Sequence, residues 1–122
     1  MRLAVLDGAY TVCKIRDIGQ VDWSGELTFL GCTPEEKSLV CETIRVPSGV
    51  QKREDGWRAF RVVGELDISL VGILARLSAV LSQEKIGIFA VSTYNTDYIL
   101  TKEESFENAL AALSRAGYEV IR

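Results

Sequence analysis

A short polar stretch, "STYNTDYIL" at 92–100, separates two apolar runs and carries an acidic residue, Asp97. The flanking chain is typical of the interior of a small sheet, where a carboxylate is costly unless a partner or water compensates it. Two interpretations are open. Asp97 closes a turn together with Asn95 and Thr96, which are also good turn formers, or it accepts hydrogen bonds from a cationic group on a ligand.

A second possible contact for a ligand lies at the start of the helix predicted from the amphipathic pattern over residues 71–83. The first turn of a helix has unpaired N–H groups and the positive end of the helix dipole, which suit a ligand carboxylate. Gly72 permits close approach of a ligand to the backbone there. Asp67 has two equally good interpretations, since it either caps the helix or lines a ligand site, and Ser69 either donates its hydroxyl to a ligand or caps the helix.

Enzymatic chemistry has little support in the residue types. The chain has no histidine, which excludes His-dependent triads and the commonest metal ligand. Its acidic residues cluster in solvated segments such as "TPEEK" and "TKEESFEN" rather than as a convergent pair. Cys13, Cys32 and Cys41 lack zinc or redox spacing and are predicted to be small core side chains. We therefore expect no catalytic residue, no metal and no cofactor.

Composition indicates an ordinary folded protein. The chain has 122 residues, 48% apolar and 25% charged, which fits one domain or two small ones sharing a core. A formal net charge of −3 without a basic run argues against binding nucleic acid. The apolar run before Asp7 is too short for a signal peptide, and no segment has the length of a membrane span. We expect a cytoplasmic location and no membrane partner.

The second half of the chain has clear periodicities. Thr101 and Glu104 form a capping-box pattern before a second helical stripe that ends at Gly117. The predicted segments are strand 57–66, helix 71–83, strand 85–93, strand 97–101, the second helix and strand 118–121. The hairpin between the two middle strands turns at residues 94–96. This order predicts an α+β fold of the split βαβ, ferredoxin-like type (βαββαβ), with an antiparallel sheet and both helices on one face.

The first half is less regular. "LAVLDGAYTVCKI" contains two strand-like runs and "ELTFLGC" a third. "TPEEKSLVCETIRV" is ambiguous: Thr33 before Pro34 favours a helix start, whereas the β-branched residues that follow favour a strand after a "TPEE" turn. Local rules lean slightly towards a helix. "PSGVQKREDG" is a polar connector and the expected boundary between the halves.

Residues 71–102, "VGILARLSAVLSQEKIGIFAVSTYNTDYILTK", resemble the second repeat of small paired ACT-domain proteins, a group related to aspartate kinase regulatory domains and CASTOR arginine sensors. "FLGCTPEEKSLVC" and "DGWRAFRVVGELD" also resemble that group, so the similarity covers nearly the whole chain. The resemblance implies tandem ACT units, with a degenerate unit over 1–55 and an ACT domain over 56–122. It also implies that "TPEE" is a turn and 37–43 a strand.

The resemblance further implies a function. ACT domains bind amino acids, usually at the junction of two units, against the loop matching "LDISLVG" and the hairpin matching "STYNTD". The implied ligand-binding residues are Asp67, Ser69, Leu70, Val71, Gly72, Ile73, Thr93, Asn95, Thr96 and Asp97. We expect a non-enzymatic sensor of a free amino acid, acting as a homodimer and on a protein partner in trans. The alternative is an interaction module without a ligand, which a cationic partner for Asp97 within the chain, such as Lys102 or Arg58, would favour.

Overall fold

A computed structural model describes residues 1–64 and 71–122 of the chain. Two single-turn 3₁₀ helices, Ile18–Gln20 and Thr43–Arg45, lie between strands of the first half. The strands and helices described are β1 (Arg2–Val5), β2 (Tyr10–Ile15), β3 (Phe29–Cys32), β4 (Lys37–Glu42), β5 (Lys52–Val62), α1 (Ile73–Gln83), β6 (Phe89–Ser92), β7 (Asp97–Lys102), α2 (Glu103–Arg115) and β8 (Glu119–Ile121).

The chain divides into two compact units. The large unit consists of Met1–Asp7 and Arg58–Arg122, and the small unit of Gly8–Trp57. Strand β5 therefore contributes to both. The first seven residues belong with the second half of the chain, although the sequence predicted a division into 1–55 and 56–122. That 1–55 is a degenerate ACT unit stays a prediction.

The large unit contains the predicted order of strand, helix, strand, strand, helix, strand, from β5 to β8. Its strands lie in the order β6-β7-β5-β1-β8. The α+β, ferredoxin-like fold class is confirmed. One strand was not predicted in this position: β1 lies between β5 and β8, antiparallel to β5 and parallel to β8, so that Leu3 faces both Val62 and Val120.

Both helices of the large unit pack on one core. The stripes predicted for the two helices are buried there together with side chains from β1, β5 and β7. The fully or nearly fully buried members of this core are Leu3, Phe60, Val62, Leu77, Leu81, Ile99, Phe106, Ala109, Leu110 and Leu113. Because these residues alternate along the strands and recur every three or four positions along the helices, local periodicity predicted most of them.

The ends of α2 differ in how well they were predicted. Gly117 follows the helix with φ +102°, the left-handed conformation expected after a helix end. The predicted capping box is wrong, because the cap residue is Lys102, with no side-chain capping bond. The Thr101 hydroxyl instead donates to the carbonyl oxygen of Lys102, 3.3 Å away. Glu103 and Glu104 in the first turn still suit the positive end of the helix dipole.

The small unit is a sheet in the order β3-β4-β2-β5. The "TPEE" turn is confirmed: the Thr33 N–H donates to the Glu36 carbonyl oxygen over 2.8 Å. The Thr33 hydroxyl accepts from the N–H groups of Glu35 and Glu36. Strand β4 follows directly, so the strand interpretation taken from the family resemblance is correct and the local lean towards a helix is wrong.

Two other predictions for the small unit need correction. The segment 52–56 is part of β5 and not a connector. There β2 and β5 shift register, since Tyr10 faces Trp57 while Val12 faces Glu54, and Gly56 has φ +86°, as expected at a β-bulge. Cys13 and Cys41 are buried as predicted, but Cys32 is exposed because β3 is the last strand of the sheet.

Candidate ligand-binding site

The polar stretch forms the hairpin between β6 and β7. Ser92 faces Asp97, and the Thr93 N–H donates to the Thr96 carbonyl oxygen over 2.8 Å. The Thr93 hydroxyl donates to the same carbonyl oxygen at 3.0 Å and accepts from the Thr96 N–H at 3.2 Å. Three hydrogen bonds therefore define this loop, and the predicted hairpin is confirmed.

The hairpin loop is attached to the end of β5. The Thr96 hydroxyl donates to the carbonyl oxygen of Val62 over 2.8 Å, and Thr96 is buried. Strand β7 pairs with β5, so the start of β7 lies next to the end of β5. From there the chain continues into the segment that leads to α1. The hairpin and the beginning of that segment therefore lie at the same end of the large unit.

Asp97 is half-buried at the first position of β7. Its Oδ1 atom accepts a hydrogen bond from the Ser92 hydroxyl, with 2.6 Å between the oxygens. Within residues 1–64 and 71–122 its carboxylate forms no ion pair. Arg58, one cation considered as its partner, instead lies 3.8 Å from Glu103 and 4.6 Å from the centre of the Phe106 ring. The Ser92 hydroxyl is neutral, so the charge of Asp97 has no cationic partner among the described residues.

The start of α1 is built around Gly72, whose φ is +81°. A Cβ atom at this position would lie 3.1 Å from Nη1 of Arg76. Arg76 also donates from Nη1 to the Val71 carbonyl oxygen over 3.4 Å. A guanidinium group thus lies over the first turn of the helix and adds its charge to the positive end of the dipole.

The other predicted residues have different surroundings. Val71 and Asn95 are exposed, whereas Ile73 is buried. Ile73 lines a surface depression of about 280 Å³ that Met1, Arg76 and residues 116–118 also border. Asp67, Ser69 and Leu70 lie outside the described residues. The role of all ten residues in binding a ligand stays a prediction.

Sequence reasoning missed two residues that contact this region. Ser92 was quoted in the polar stretch but not named as a partner of Asp97, although facing positions of a hairpin were predictable once its turn was placed. Arg76 was not named among the candidate residues. Its position four residues after Gly72 was the available signal, because side chains at this spacing lie on the same face of a helix.

The described part of the chain holds neither a metal-binding cluster nor a helix able to span a membrane. No group of three or more His, Cys, Asp or Glu residues within residues 1–64 and 71–122 is arranged to hold a metal ion. Among the helices described there, none is both long and apolar enough to cross a membrane.

The fold and this arrangement of loops agree with the comparison with known families. The family model of the ACT domain matches residues 52–115, and the chain belongs to this family. The resemblance noted from the sequence is therefore confirmed, and the protein is a small ACT-domain protein. No curated protein matches the chain.

Solved structures show the same fold. A protein from Agobacterium tumefaciens is 28% identical, with a TM-score of 0.88 over 98% of this chain and 91% of that one. A Vibrio cholerae protein of unknown function, described as a possible transport protein, is 21% identical with a TM-score of 0.75, over 91% of this chain and 85% of that one. The regulatory subunit of aspartate kinase from Thermus thermophilus is 12% identical with a TM-score of 0.65, over 94% and 97% of the two chains.

Proposed function

We propose that this chain is a non-enzymatic regulatory protein that binds a free amino acid at the loops flanking the end of β5. The observation that carries the proposal is the hydrogen bond from Thr96 to Val62, which holds the hairpin loop beside the strand that leads to α1. Membership of the ACT family and the similarity to a regulatory subunit in fold support a regulatory role.

The charges near these loops suit the two ends of an amino acid. An α-ammonium group needs acceptors, and Asp97 offers a carboxylate whose partner among the described residues is the neutral hydroxyl of Ser92. An α-carboxylate needs donors, and the first turn of α1 offers N–H groups beside the guanidinium of Arg76. Gly72 has no side chain to obstruct approach to that turn.

The other residues divide by what they do in the proposed site. Thr93 and Thr96 use their hydroxyls to shape and attach the hairpin, so we assign them positioning roles. Exposed Asn95 and Val71 flank the site, and Ile73 contributes through its main chain. Asp67, Ser69 and Leu70 belong to the proposal through the family resemblance. We further propose a cytoplasmic homodimer that acts on a protein partner in trans.

The alternative is an ACT module that serves only in assembly. The hydrogen bonds inside the hairpin favour it, because Thr93, Thr96 and Asp97 all have partners without a ligand. The two functions differ in what the charge of Asp97 does. In the sensor it binds a ligand cation, whereas in the assembly module it only accepts the bond from Ser92.

Thermal stability in the presence of each of the twenty amino acids tests the proposal. A ligand at about one hundred times its dissociation constant stabilises the folded state by ~2.7 kcal/mol. We expect a selective rise in melting temperature that Asp97→Asn abolishes, because this variant keeps an acceptor for Ser92 and removes the charge. Asp7→Asn removes one exposed carboxylate elsewhere in the large unit and should leave the rise intact.

The opposite result supports the assembly module. A wild type that responds to no amino acid, with Asp97→Asn at least as stable as the wild type, would refute the sensor. Equal responses of the wild type and Asp97→Asn to one amino acid would refute the role of Asp97.

A further inference from the structure

Among the residues that the structure describes, the sheet of the small unit ends at β3, a strand paired on one side by β4. The terminal strand of a sheet carries main-chain N–H and C=O groups that point away from its neighbour and can pair with another strand. The hydrogen bonds of the β3–β4 hairpin identify the residues that carry these outward groups. Thr33 donates to Glu36, so the Thr33 and Glu36 pair is hydrogen-bonded.

Antiparallel pairing alternates along β3 from that point. The pair of Gly31 and Ser38 is hydrogen-bonded, whereas Leu30 and Cys32 face Leu39 and Lys37 in non-hydrogen-bonded pairs. The main-chain groups of Leu30 and Cys32 therefore point to the outer side of β3. Within the described part of the chain, neither residue has a main-chain bond beyond the β3–β4 ladder.

This outer side lacks the features that usually prevent strands from pairing. Natural sheet edges carry charged residues, prolines or bulges. The segment from Leu27 to Cys32 has neither charge nor proline, and its pairing with β4 is regular. Cys32 is exposed, and 37% of the surface of Phe29 is exposed although it is a large apolar side chain.

We propose that β3 is a self-association surface, on which β3 of a second copy of this chain pairs in antiparallel orientation about a two-fold axis. Leu30 faces Leu30 of the second copy at the centre. In this register the outward-pointing main-chain groups of the two strands pair, because Cys32 of each copy faces Thr28 of the other. It also places Phe29 opposite Gly31 of the second copy, and since each Phe29 ring already lies beside Gly31 of its own strand, 3.6 Å from where a Cβ atom would be, the two rings meet in the dimer.

The strand is complementary to a second copy of itself. In this register each residue from Thr28 to Cys32 meets an uncharged residue, so no like charges oppose each other. Pairing of one short strand buries an area at the low end for protein interfaces, so the dimer is expected to depend on concentration. Strand β3 is then the interface of the homodimer proposed above, and its pairing does not depend on ligand binding.

Sedimentation velocity of the full chain over a range of concentrations, without any amino acid, is the first test. We expect a monomer–dimer equilibrium whose dissociation constant rises by about tenfold in Phe29→Lys, since two charged side chains then replace the two apolar rings. Ile44→Lys is the matched control, because Ile44 is 87% exposed in the same unit and lies off β3. It should leave the dimer unchanged.

Cys32→Pro tests the main-chain bonds themselves. Proline removes the outward N–H of Cys32 but no bond to β4, and proline is tolerated at such edge positions. It should weaken the dimer, while Cys32→Ser should not. Circular dichroism and the melting temperature establish that each variant is folded.

A disulfide tests the register. Facing Cα atoms in a hydrogen-bonded pair are about 5.5 Å apart, within the range of a disulfide. Thr28→Cys should therefore form a disulfide with Cys32 of the second copy when oxidised glutathione accepts the two electrons and is reduced to two thiols. The double variant Thr28→Cys, Cys32→Ser should not form it.

Three results would overturn the proposal. The first is a wild type that stays monomeric at high micromolar concentration. The second is a dimer that is weakened by Ile44→Lys but not by Phe29→Lys. The third is the absence of a disulfide cross-link in Thr28→Cys. Thermal shift measurements with amino acids on the folded Phe29→Lys variant test ligand binding separately from self-association.

Discussion

The hydroxyl of Thr96 donates a hydrogen bond to the main-chain carbonyl oxygen of Val62, with 2.8 Å between the two oxygens. These residues are 34 positions apart in the chain, and the bond is buried. It fixes the loop of the β6–β7 hairpin against the end of β5. Because the segment towards α1 also begins there, this bond links the two parts of the proposed ligand site.

Thr96→Val should destabilise the protein by about 1–2 kcal/mol, because the variant keeps the shape of the side chain and loses a buried hydrogen bond. Urea denaturation measures the change. Thr96→Ser is the control, since it keeps the hydroxyl. Equal stability of the valine and serine variants would show that the bond contributes nothing.

Gly72→Ala should cost about 1–2 kcal/mol, because alanine is strained in the left-handed conformation that Gly72 adopts at φ +81°. The nearby Nη1 of Arg76 is the end of a flexible side chain, so the backbone conformation decides the effect. Gly87→Ala is the matched control, since Gly87 has no positive φ and an added Cβ would meet nothing within 4 Å. A loss of stability in both variants or in neither would contradict this account.

Local patterns predicted most of the large unit. The stripe from Ile73 to Leu81 lies within one helix of eleven consecutive residues, and burial of one face of α1 follows directly from it. The hairpin at Asp97 was predictable for the same reason, because a polar turn between apolar runs is a local signal. The hairpin that carries Thr93, Asn95, Thr96 and Asp97 was therefore predicted correctly, whereas the role of these residues in binding stays a prediction.

Contacts between distant segments were not predictable in this way. Strand β1 has four residues, and nothing in "RLAV" indicates that it lies between β5 and β8. The bond from Thr96 to Val62 depends on the pairing of β5 with β7, which the residues around Thr96 do not encode. The exposure of Cys32 follows from the position of β3 at the end of a sheet, whereas its apolar neighbours predicted a core residue.

Ser24→Ala should raise the pKa of Asp22 from about 2 towards its ordinary value of 3.8. The Ser24 hydroxyl and N–H donate to Asp22, at 2.6 and 3.0 Å, and are the main cause of the low pKa, with Arg45 contributing further. Because the pKa is lowered by folding, the stabilisation is present above pH 3.8 and is lost as the pH falls towards 2. NMR titration of the Asp22 carboxyl group measures the shift, and an unchanged titration in the variant would contradict this cause.

One thiol per chain should react rapidly with a disulfide reagent such as Ellman's reagent at neutral pH, because the thiolate is the reactive form and only Cys32 of the three cysteines is exposed. Burial raises the pKa of Cys13, and it raises that of Cys41 to about 11 with a further contribution from Cys13. Cys32→Ser should remove the rapid phase and leave two thiols that react only after unfolding. A rapid phase that persists in Cys32→Ser would show that Cys13 or Cys41 is accessible in the folded protein.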